Sequence, residues 1–231
     1  MATIALLFTD GAPIEPGSNP FRLTVDGTEH LNPYKSVIKP FPSKFTKPWN
    51  SQSTFGSPFL MSGVNAEVVS WSQALRGGAP LTYSEVQVNP DLKTAIVSYF
   101  TLVLLITGLL NPVTKYLLLN FVVPKPGEGP SFDDMENNSF LSVTTHALGT
   151  KGSKADSVMY FPRDAGYLDT ARMLVESGLS MALEEKALPV DGGGFFSPGY
   201  GLGETLLNRL LNTGTYFQVS VQKSLEKPSS E

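Results

Sequence analysis

The feature that most constrains this sequence is the stretch Thr94–Val123, in which Lys115 is the only charged residue. Asn111-Pro112 divides the stretch into an apolar arm, Thr94–Leu110, and a shorter one, Val113–Val123. A proline inside a helix removes a hydrogen bond and clashes with the preceding turn, and it also disfavours helical geometry at the residue before it. The pattern therefore predicts two helical arms with a break between them, which form a hydrophobic helical hairpin.

The lengths of the arms leave two interpretations open. At about 1.5 Å per residue the first arm is about 25 Å long, whereas a hydrocarbon core is about 30 Å thick and needs roughly 20 apolar residues. In one interpretation the hairpin dips into one leaflet and Lys115 snorkels to the surface. In the other, the arms are core helices of a soluble domain. The predicted membrane-contact residues are Tyr99, Phe100, Val103, Leu104, Leu110, Tyr116, Leu118 and Phe121.

The first arm also carries a stripe of small residues. Thr94, Ser98, Thr101 and Gly108 recur at helical spacing and share one face. Such a stripe lets another helix approach closely. The second arm has no comparable polar face.

Composition narrows the classes of function. Only 16% of the 231 residues are charged, below the usual quarter or so, which is typical of a protein with a large partner-facing or lipid-facing surface. The net charge of −4 argues against nucleic acid as a partner, because there is no basic stripe to neutralise phosphates. The absence of cysteine excludes disulfides, zinc–thiolate sites and cysteine nucleophiles.

The rest of the chain mixes predicted strands, loops and helices. Residues 32–58 contain five prolines and are predicted to be an extended loop. Residues 59–71 fit either a strand–turn–helix unit or a pair of strands. Asp26-Gly27 is typical of a two-residue turn between short strands. The predicted strands are Ala2–Phe8, Phe21–Val25, Thr28–Leu31, Leu81–Val88, Ser139–Leu148, Val158–Phe161 and Thr215–Gln222.

Two helices are predicted in the C-terminal half, at Gly166–Lys186 and at Glu204–Leu211. In the longer one an apolar stripe is expected to face the core, with Glu184 and Glu185 on the exposed side. The stripe consists of Leu168, Ala171, Val175, Leu179, Ala182 and Leu183. These elements predict an α+β fold, with a mixed sheet, flanking helices and the hairpin as an insertion.

The predicted domain organisation follows from these elements. Residues 1–93 form the strand- and proline-rich first part of an α/β domain, and residues 94–123 form the hairpin. Residues 124–223 form the second part of the same domain, and residues 224–231 are a polar, disordered tail.

Candidates for catalysis are few. His30 and His146 lie in polar alternating segments, where a surface or hydrogen-bonded histidine is expected rather than a catalytic base or metal ligand. The carboxylates Asp133, Asp134, Glu136, Glu184 and Glu185 are expected to be solvated. The sequence predicts no metal site, names no catalytic residue and contains no Gly-x-Ser-x-Gly elbow.

A glycine-rich segment precedes the last helix. Gly199–Gly203 has the wrong spacing for a dinucleotide fingerprint or a phosphate-binding loop. Glu204 would also place a carboxylate where a phosphate would sit at the helix N-terminus. We therefore expect no cofactor to bind here and expect the glycines to allow close packing against another part of the protein.

Several blocks together resemble a known family. Gly193–Gly199, the helix that begins near Thr205, and Gly214 before a terminal strand are similar to the C-terminal end of saccharopine dehydrogenase-like oxidoreductases. That group includes the trans-acting enoyl reductases of lipid synthesis. Further similar blocks are Asp164–Thr170, Pro124–Pro130 after the hydrophobic segment, and Ser57–Met61 with Asn65, Val69, Ser72 and Leu75 before it.

The resemblance implies a lipid-related, NAD(P)-dependent oxidoreductase, but the family's NAD(P)-binding fingerprint is absent from these 231 residues. It implies the substrate- and membrane-associating half of such an enzyme, which is not catalytic alone and which works with a nucleotide-binding partner domain. An intracellular membrane location follows: lipid droplet, endoplasmic reticulum or mitochondrion. The alternative is a non-catalytic anchoring or interaction protein. Residues expected to pack against the partner domain are Gly193, Phe195, Phe196, Pro198 and Gly199.

Overall fold

The computed structural model describes residues 2–10, 24–25, 28–29, 34–36, 43–46, 53–77, 81–125, 127–149 and 151–223. The predicted tail and His30 lie outside these residues. The described strands are β1 (Ala2–Asp10), β2 (Thr24–Val25), β3 (Thr28–Glu29), β4 (Tyr34–Ser36), β5 (Ser43–Thr46), β6 (Ser53–Pro58), β7 (Leu81–Asn89), β8 (Leu141–Leu148), β9 (Lys154–Phe161) and β10 (Tyr216–Gln222).

Helices lie between the strands. The described helices are α1 (Ser62–Leu75), α2 (Leu92–Leu110), α3 (Pro112–Leu117), α4 (Phe132–Asn137), α5 (Leu168–Leu183), α6 (Pro198–Gly201) and α7 (Gly203–Asn212). A π-helical turn, Leu118–Val122, continues α3, and a 3₁₀ turn, Glu185–Ala187, follows α5.

One mixed sheet forms the framework, with the strand order β10-β9-β8-β1-β7-β6-β5 and β4 beside β7. The β1–β8 and β4–β7 pairs are parallel and the other pairs are antiparallel. β2 and β3 form a separate antiparallel pair in which Val25 lies opposite Thr28, as the Asp-Gly turn predicted. The α+β prediction, with a mixed sheet and a helical hairpin, is confirmed.

The prediction that residues 32–58 form an extended loop is wrong. This segment supplies β4, β5 and β6, of which β4 and β6 pair with β7. The backbone partners of these strands lie tens of residues further along the chain, so the local proline pattern could not reveal them. Of the two alternatives for residues 59–71, the structure has a turn followed by helix α1, and the strand of this unit is β6, which ends earlier, at Pro58.

Polar side chains are buried beneath α1 and α2. Both helices pack on β7, and α2 also packs on β6. The buried polar side chains of β6 and β7 are Thr54, Ser57, Ser84, Glu85 and Asn89. Because buried polar groups are usually hydrogen-bonded, networks such as the one around Asn89 help to align these elements.

The predicted buried face of α5 is wrong. The buried residues of this helix are Asp169, Glu176 and Ser180. Of the predicted stripe, Ala171, Val175, Ala182 and Leu183 are exposed, and Leu168 and Leu179 are half-buried. The polar face is turned inward because α7 presents Arg209 to it, with Nε 2.7 Å from Oε2 of Glu176.

The acidic residues that follow the hairpin lie on helix α4. Asp133 and Asp134 occupy the first turn of α4, where carboxylates interact favourably with the helix dipole. Ser131 caps this helix by accepting a hydrogen bond from the backbone N–H of Asp134 at 3.1 Å. Asp133, Asp134 and Glu136 are exposed, as expected for solvated carboxylates.

Candidate functional site

The hydrophobic hairpin consists of α2 and a return arm formed by α3 and the π-helical turn. Asp91 caps α2 by accepting hydrogen bonds from the N–H and the hydroxyl of Thr94, which lower the pKa of the Asp91 carboxyl. The helix ends at Asn111, whose backbone is extended, and Pro112 begins the return arm. The side chain of Asn111 then accepts from the N–H groups of Val113 and Thr114, at 2.9 and 3.3 Å. The predicted break is therefore a capped turn.

Gly108 is where the two arms touch. A Cβ at this position would lie 2.7 Å from Cδ1 of Leu118, so a larger residue would force the end of the leucine side chain to shift. Thr114 donates its hydroxyl hydrogen to the carbonyl oxygen of Gly108 at 2.7 Å. The predicted small-residue stripe thus receives another helix at Gly108, and that helix is the return arm.

The base of the hairpin is fixed to the sheet by polar contacts. Ser98 of α2 donates to Oδ1 of Asn89 at 3.1 Å, and Nδ2 of Asn89 donates to the hydroxyl of Ser57 at 2.9 Å. The carbonyl of Asn89 accepts from Thr54 at 2.6 Å. Beside this network Ala95 is fully buried. The hairpin is therefore attached to β6 and β7 at one end.

Above that attachment the hairpin faces outward. Ala95 is the only buried residue of α2, and neither α3 nor the π-helical turn has one. Leu104 is 69% exposed and Phe121 is 76% exposed. Of the other predicted membrane-contact residues, Phe100, Leu110 and Tyr116 are exposed, and Tyr99, Val103 and Leu118 are half-buried.

Length and composition bear on what the hairpin can contact. In the described part of the chain, Leu92–Leu110 is the one helix that is long and apolar enough to cross a membrane. An open apolar groove of about 650 Å³ runs between the arms. Leu104, Gly108, Thr114, Leu118 and Phe121 are among the residues that line it. Exposed apolar surface of this extent is typical of a site that binds lipid or a partner.

The glycine-rich loop, Gly193–Gly203, packs against α1. The hydroxyls of Ser72 and Ser197 share a hydrogen bond of 2.7 Å, and Arg76 donates to the carbonyl of Gly199 at 2.8 Å. Ser197 is fully buried. These contacts bring together two of the blocks that carried the sequence resemblance.

The two neighbouring phenylalanines of this loop have different surroundings. Phe195 is 83% exposed, although its ring stacks on Trp71 with the centroids 6.3 Å apart. Phe196 is half-buried, because it packs on Tyr200 and covers the α-carbon of Gly194. Pro198, Gly193 and Gly199 are exposed, and nothing lies within 4 Å of a Cβ built on either glycine. Phe195 is therefore much more exposed to solvent than Phe196.

Two features of the same loop disfavour a dinucleotide pyrophosphate. The helix α6 that the loop enters is only four residues long, so its dipole is small. Gly203 has φ +49° at the start of α7, and Glu204 occupies the first turn. A carboxylate there repels a phosphate that approaches the helix N-terminus. No step of a nicotinamide reaction is assigned to this segment.

Sequence reasoning missed a buried carboxylate on the central strand β7. Glu85 is only 5% exposed and accepts hydrogen bonds from Nδ2 of Asn65, at 2.9 and 3.1 Å, and from the Tyr83 hydroxyl at 3.0 Å. Burial raises the pKa of Glu85, against the lowering effect of these hydrogen bonds. Burial and the neighbouring carboxylate raise the pKa of Tyr83. The signal was the polar alternation of β7, which indicated a strand but not which face would be covered.

His146 forms a cross-strand pair. It lies opposite Asp156 in the β8–β9 ladder, with its Nδ1 2.7 Å from Oδ1 of the aspartate. This agrees with the expected hydrogen-bonded histidine. In the residues that the structure describes, no group of three His, Cys, Asp or Glu side chains could hold a metal ion.

Comparison with known proteins identifies relatives. A Mycobacterium tuberculosis protein provisionally named a trans-acting enoyl reductase is 31% identical over 171 residues, which cover 70% of this chain and 40% of that protein. The trans-acting enoyl reductase of Mycobacterium ulcerans is 30% identical over 165 residues, which cover 68% of this chain and 39% of that protein. The chain is a distant homologue of part of these proteins.

A further relative has the same extent. The trans-acting enoyl reductase of Mycobacterium bovis strain BCG is 28% identical over 165 residues, 68% of this chain and 39% of its own length. The chain thus spans about 40% of the length of the curated relatives it matches. Neither a protein-family model nor a solved structure matches it.

Proposed function

We propose that this chain is the substrate- and membrane-associating part of a saccharopine dehydrogenase-like, lipid-related oxidoreductase. The observation that carries the proposal is the hairpin, whose helix α2 buries only Ala95. A core helix would bury a whole apolar face, whereas the residues of this helix other than Ala95 are exposed or half-buried. Homology to trans-acting enoyl reductases supplies the reaction class.

The reaction class is hydride transfer to a lipid-linked enoyl or keto group. In such enzymes NAD(P)H carries the chemistry, and the protein positions the substrate. The open, apolar groove lies between the arms of the hairpin. Such a groove suits a substrate with a long hydrocarbon chain. Positioning the acyl chain is the role that we assign to the hairpin, at the surface of an intracellular membrane or lipid droplet.

The nucleotide is held by a partner domain in this proposal. The glycine-rich loop lacks the spacing of a dinucleotide fingerprint, and Phe195 presents an exposed aromatic ring beside a loop fixed to α1. An exposed aromatic on a rigid base is typical of an anchor at a protein interface. We therefore assign Gly193, Phe195, Pro198 and Gly199 to the contact with the nucleotide-binding domain.

Calorimetric titration of NADPH and NADH into the purified chain tests whether a partner domain, rather than this chain, binds the nucleotide. We expect no heat of binding from the chain alone and micromolar binding once the native complex is isolated with its nucleotide-binding partner. Micromolar binding by the isolated chain would overturn the proposal and would make Gly199–Glu204 the first segment to substitute.

A second candidate is a non-catalytic membrane or lipid-droplet anchor, which the outward-facing hairpin favours on its own. The two candidates differ in what co-purifies. Repeated isolation of the native complex without any nucleotide-binding protein, together with intact membrane attachment, would favour the anchor.

A further inference from the structure

A second cavity, of about 720 Å³, lies where the chain leaves the hydrophobic hairpin. One wall is the exit loop, defined here as residues 123–130, and the other is Tyr167 at the start of α5. Val122 lines the groove between the arms of the hairpin, and its neighbour Val123 lines this cavity. Because consecutive Cα atoms are about 3.8 Å apart, the two spaces are within reach of one extended ligand.

Hydrogen bonds hold both walls of the cavity in place. In the exit loop, Oε2 of Glu128 accepts from the N–H of Lys125 at 3.0 Å, and the N–H of Glu128 donates to the carbonyl of Lys125 at 2.8 Å. The N–H of Tyr167 donates to Oδ2 of Asp164 at 2.6 Å. The N–H of Asp164 donates in turn to the carbonyl of Met135 on α4, the helix that follows the exit loop, at 2.8 Å. The cavity is therefore a preformed part of the fold.

Much of the lining is apolar or open. Val123, Pro124 and Pro130 supply apolar surface. Gly127 and Gly129 leave room, because no atom lies within 4 Å of a Cβ built on either of them. Small-molecule sites combine such walls with a few polar groups that fix the orientation of the ligand.

The polar groups of the lining indicate what kind of ligand it suits. Lys125 and Glu128 contribute one charge of each sign, so the lining favours an uncharged ligand over a phosphate or a carboxylate. Tyr167 is 61% exposed. Among the described residues, the hydrogen bonds of Tyr167 are made by its backbone, so its hydroxyl is available to donate to a carbonyl oxygen.

We infer that this cavity binds the enoyl or keto end of the substrate, with the Tyr167 hydroxyl donating a hydrogen bond to the carbonyl oxygen. The acyl chain of the same molecule lies in the groove of the hairpin, so the site rests on the function proposed above and adds the position of the reacting group. A long hydrocarbon chain suits the apolar groove, and an uncharged polar end suits the cavity. A hydrogen bond to the carbonyl oxygen also stabilises the negative charge that hydride addition places on it.

Photo-cross-linking with two long-chain α,β-unsaturated ketones tests this placement. The head probe carries a diazirine beside the enone, and the tail probe carries the diazirine at the far end of the hydrocarbon chain. With the purified chain in detergent, the head probe should label the exit loop or Tyr167, and the tail probe should label the hairpin. Mass spectrometry identifies the labelled peptides, and an excess of the unlabelled ketone should suppress both reactions.

The labelling pattern separates this site from the function proposed above. Head-probe labelling elsewhere, with the tail probe in the hairpin, would overturn the site and leave the proposed function standing. Head-probe labelling of the cavity without tail-probe labelling of the hairpin would support the site and overturn the role of the groove. Absence of specific labelling by either probe would overturn both. Displacement of the head probe by a phospholipid as readily as by the ketone would assign the cavity to a membrane lipid and overturn the site.

Filling the cavity gives a second reading. Gly129→Leu should lower head-probe labelling at least about tenfold, because the new side chain occupies space that the ligand needs. Tail-probe labelling of the hairpin should be unchanged in this variant. Gly63→Leu, at a glycine with equally open surroundings on α1, should leave both reactions unchanged. Wild-type labelling by the head probe in folded Gly129→Leu would overturn the site.

Tyr167→Phe tests the hydrogen bond and removes a single oxygen from an exposed side chain, so it also serves if Gly129→Leu does not fold. The unlabelled ketone should compete with the head probe better than an alkane of the same length does. Tyr167→Phe should lower this advantage about five- to tenfold, as expected for the loss of one hydrogen bond. Tyr216→Phe, at a similarly exposed tyrosine on β10, should keep it. An undiminished advantage in Tyr167→Phe would overturn the assignment of its hydroxyl.

Discussion

Nε of Arg172 lies 2.8 Å from Oδ1 of Asp169, and the aspartate is completely buried. The same guanidinium donates to the hydroxyls of Thr213 and Thr215 and to the carbonyl of Leu210. One arginine thus ties the start of α5 to the end of α7 and the entry to β10. This tie and the Glu176–Arg209 pair determine which face of α5 points outward.

Arg172→Met should lower the free energy of unfolding by about 3–5 kcal/mol, because it leaves a buried carboxylate without its main partner. Arg163→Met is the control: its Nη2 is 3.4 Å from the same oxygen and its side chain is 34% exposed, so the loss should be about 1 kcal/mol or less. Urea denaturation followed by circular dichroism measures both. Equal losses of unfolding free energy would show that Arg172 does not hold the start of α5 to the end of α7.

Stability should depend on pH through Glu85. Its folded pKa is raised, so as pH rises the unfolded chain ionises first and gains stability relative to the fold. The contribution of Glu85 is therefore fully favourable below the ordinary glutamate pKa and is lost as pH rises through the raised one. Melting temperatures from pH 4 to pH 8 should show this decline in the wild-type chain.

Glu85→Gln should flatten that decline, and Tyr83→Phe should extend it to higher pH, because the Tyr83 hydroxyl stabilises the ionised carboxylate. Glu136→Gln, at an exposed position on α4, should leave the profile unchanged. A Glu85→Gln profile that follows the wild type throughout would contradict the assignment.

Substitutions at Phe195 and Phe196 should separate an effect on partner binding from an effect on the stability of the fold. Phe195→Ser should change the free energy of unfolding by less than about 0.5 kcal/mol, because the ring is largely in solvent. Phe196→Ser should cost about 2 kcal/mol, since this half-buried ring packs on Tyr200. Only Phe195→Ser should lose the nucleotide-binding partner while it remains fully folded, as measured by pull-down and thermal unfolding. Retention of the partner by folded Phe195→Ser would remove Phe195 from the interface.

Gly108→Ile should separate the arms of the hairpin, because a Cβ there already meets Leu118 at 2.7 Å. Spin labels on Leu104 and Phe121 should show a longer and broader distance distribution in the variant than in the wild-type hairpin. An unchanged distribution would mean that Gly108 is not the contact between the arms.

Local chemistry explains what the sequence predicted well. The break at Asn111-Pro112 follows from proline geometry alone, and most strands and helices were predicted within a few residues of their ends. Strands β4 and β6 were missed because their hydrogen-bond partner β7 is distant in sequence, and β5 was missed with β6, on which it pairs. The α5 helix was located correctly but its faces were reversed, since periodicity reveals a stripe and not the side on which a charged neighbour such as Arg209 lies.

The candidate site was also predictable only in part. The hairpin residues could be named because thirty nearly uncharged residues are conspicuous in any fold. The Asn65–Glu85–Tyr83 cluster could not, because α1 and β7 meet only in three dimensions. Whether Phe195 or Phe196 would be the exposed ring also depended on the position of Tyr200, which the sequence does not specify.

Flotation with liposomes tests the central claim most directly, with wild-type chain, Leu104→Asp and Leu60→Asp as a control at a similarly exposed leucine. A carboxylate at the lipid-facing centre of a helix costs about 3 kcal/mol, or roughly a hundredfold in partitioning. The account predicts that the wild-type chain and Leu60→Asp float, and that Leu104→Asp stays in the aqueous fraction while it remains folded. A wild-type chain that does not float, or Leu104→Asp that floats as well as Leu60→Asp, would contradict it.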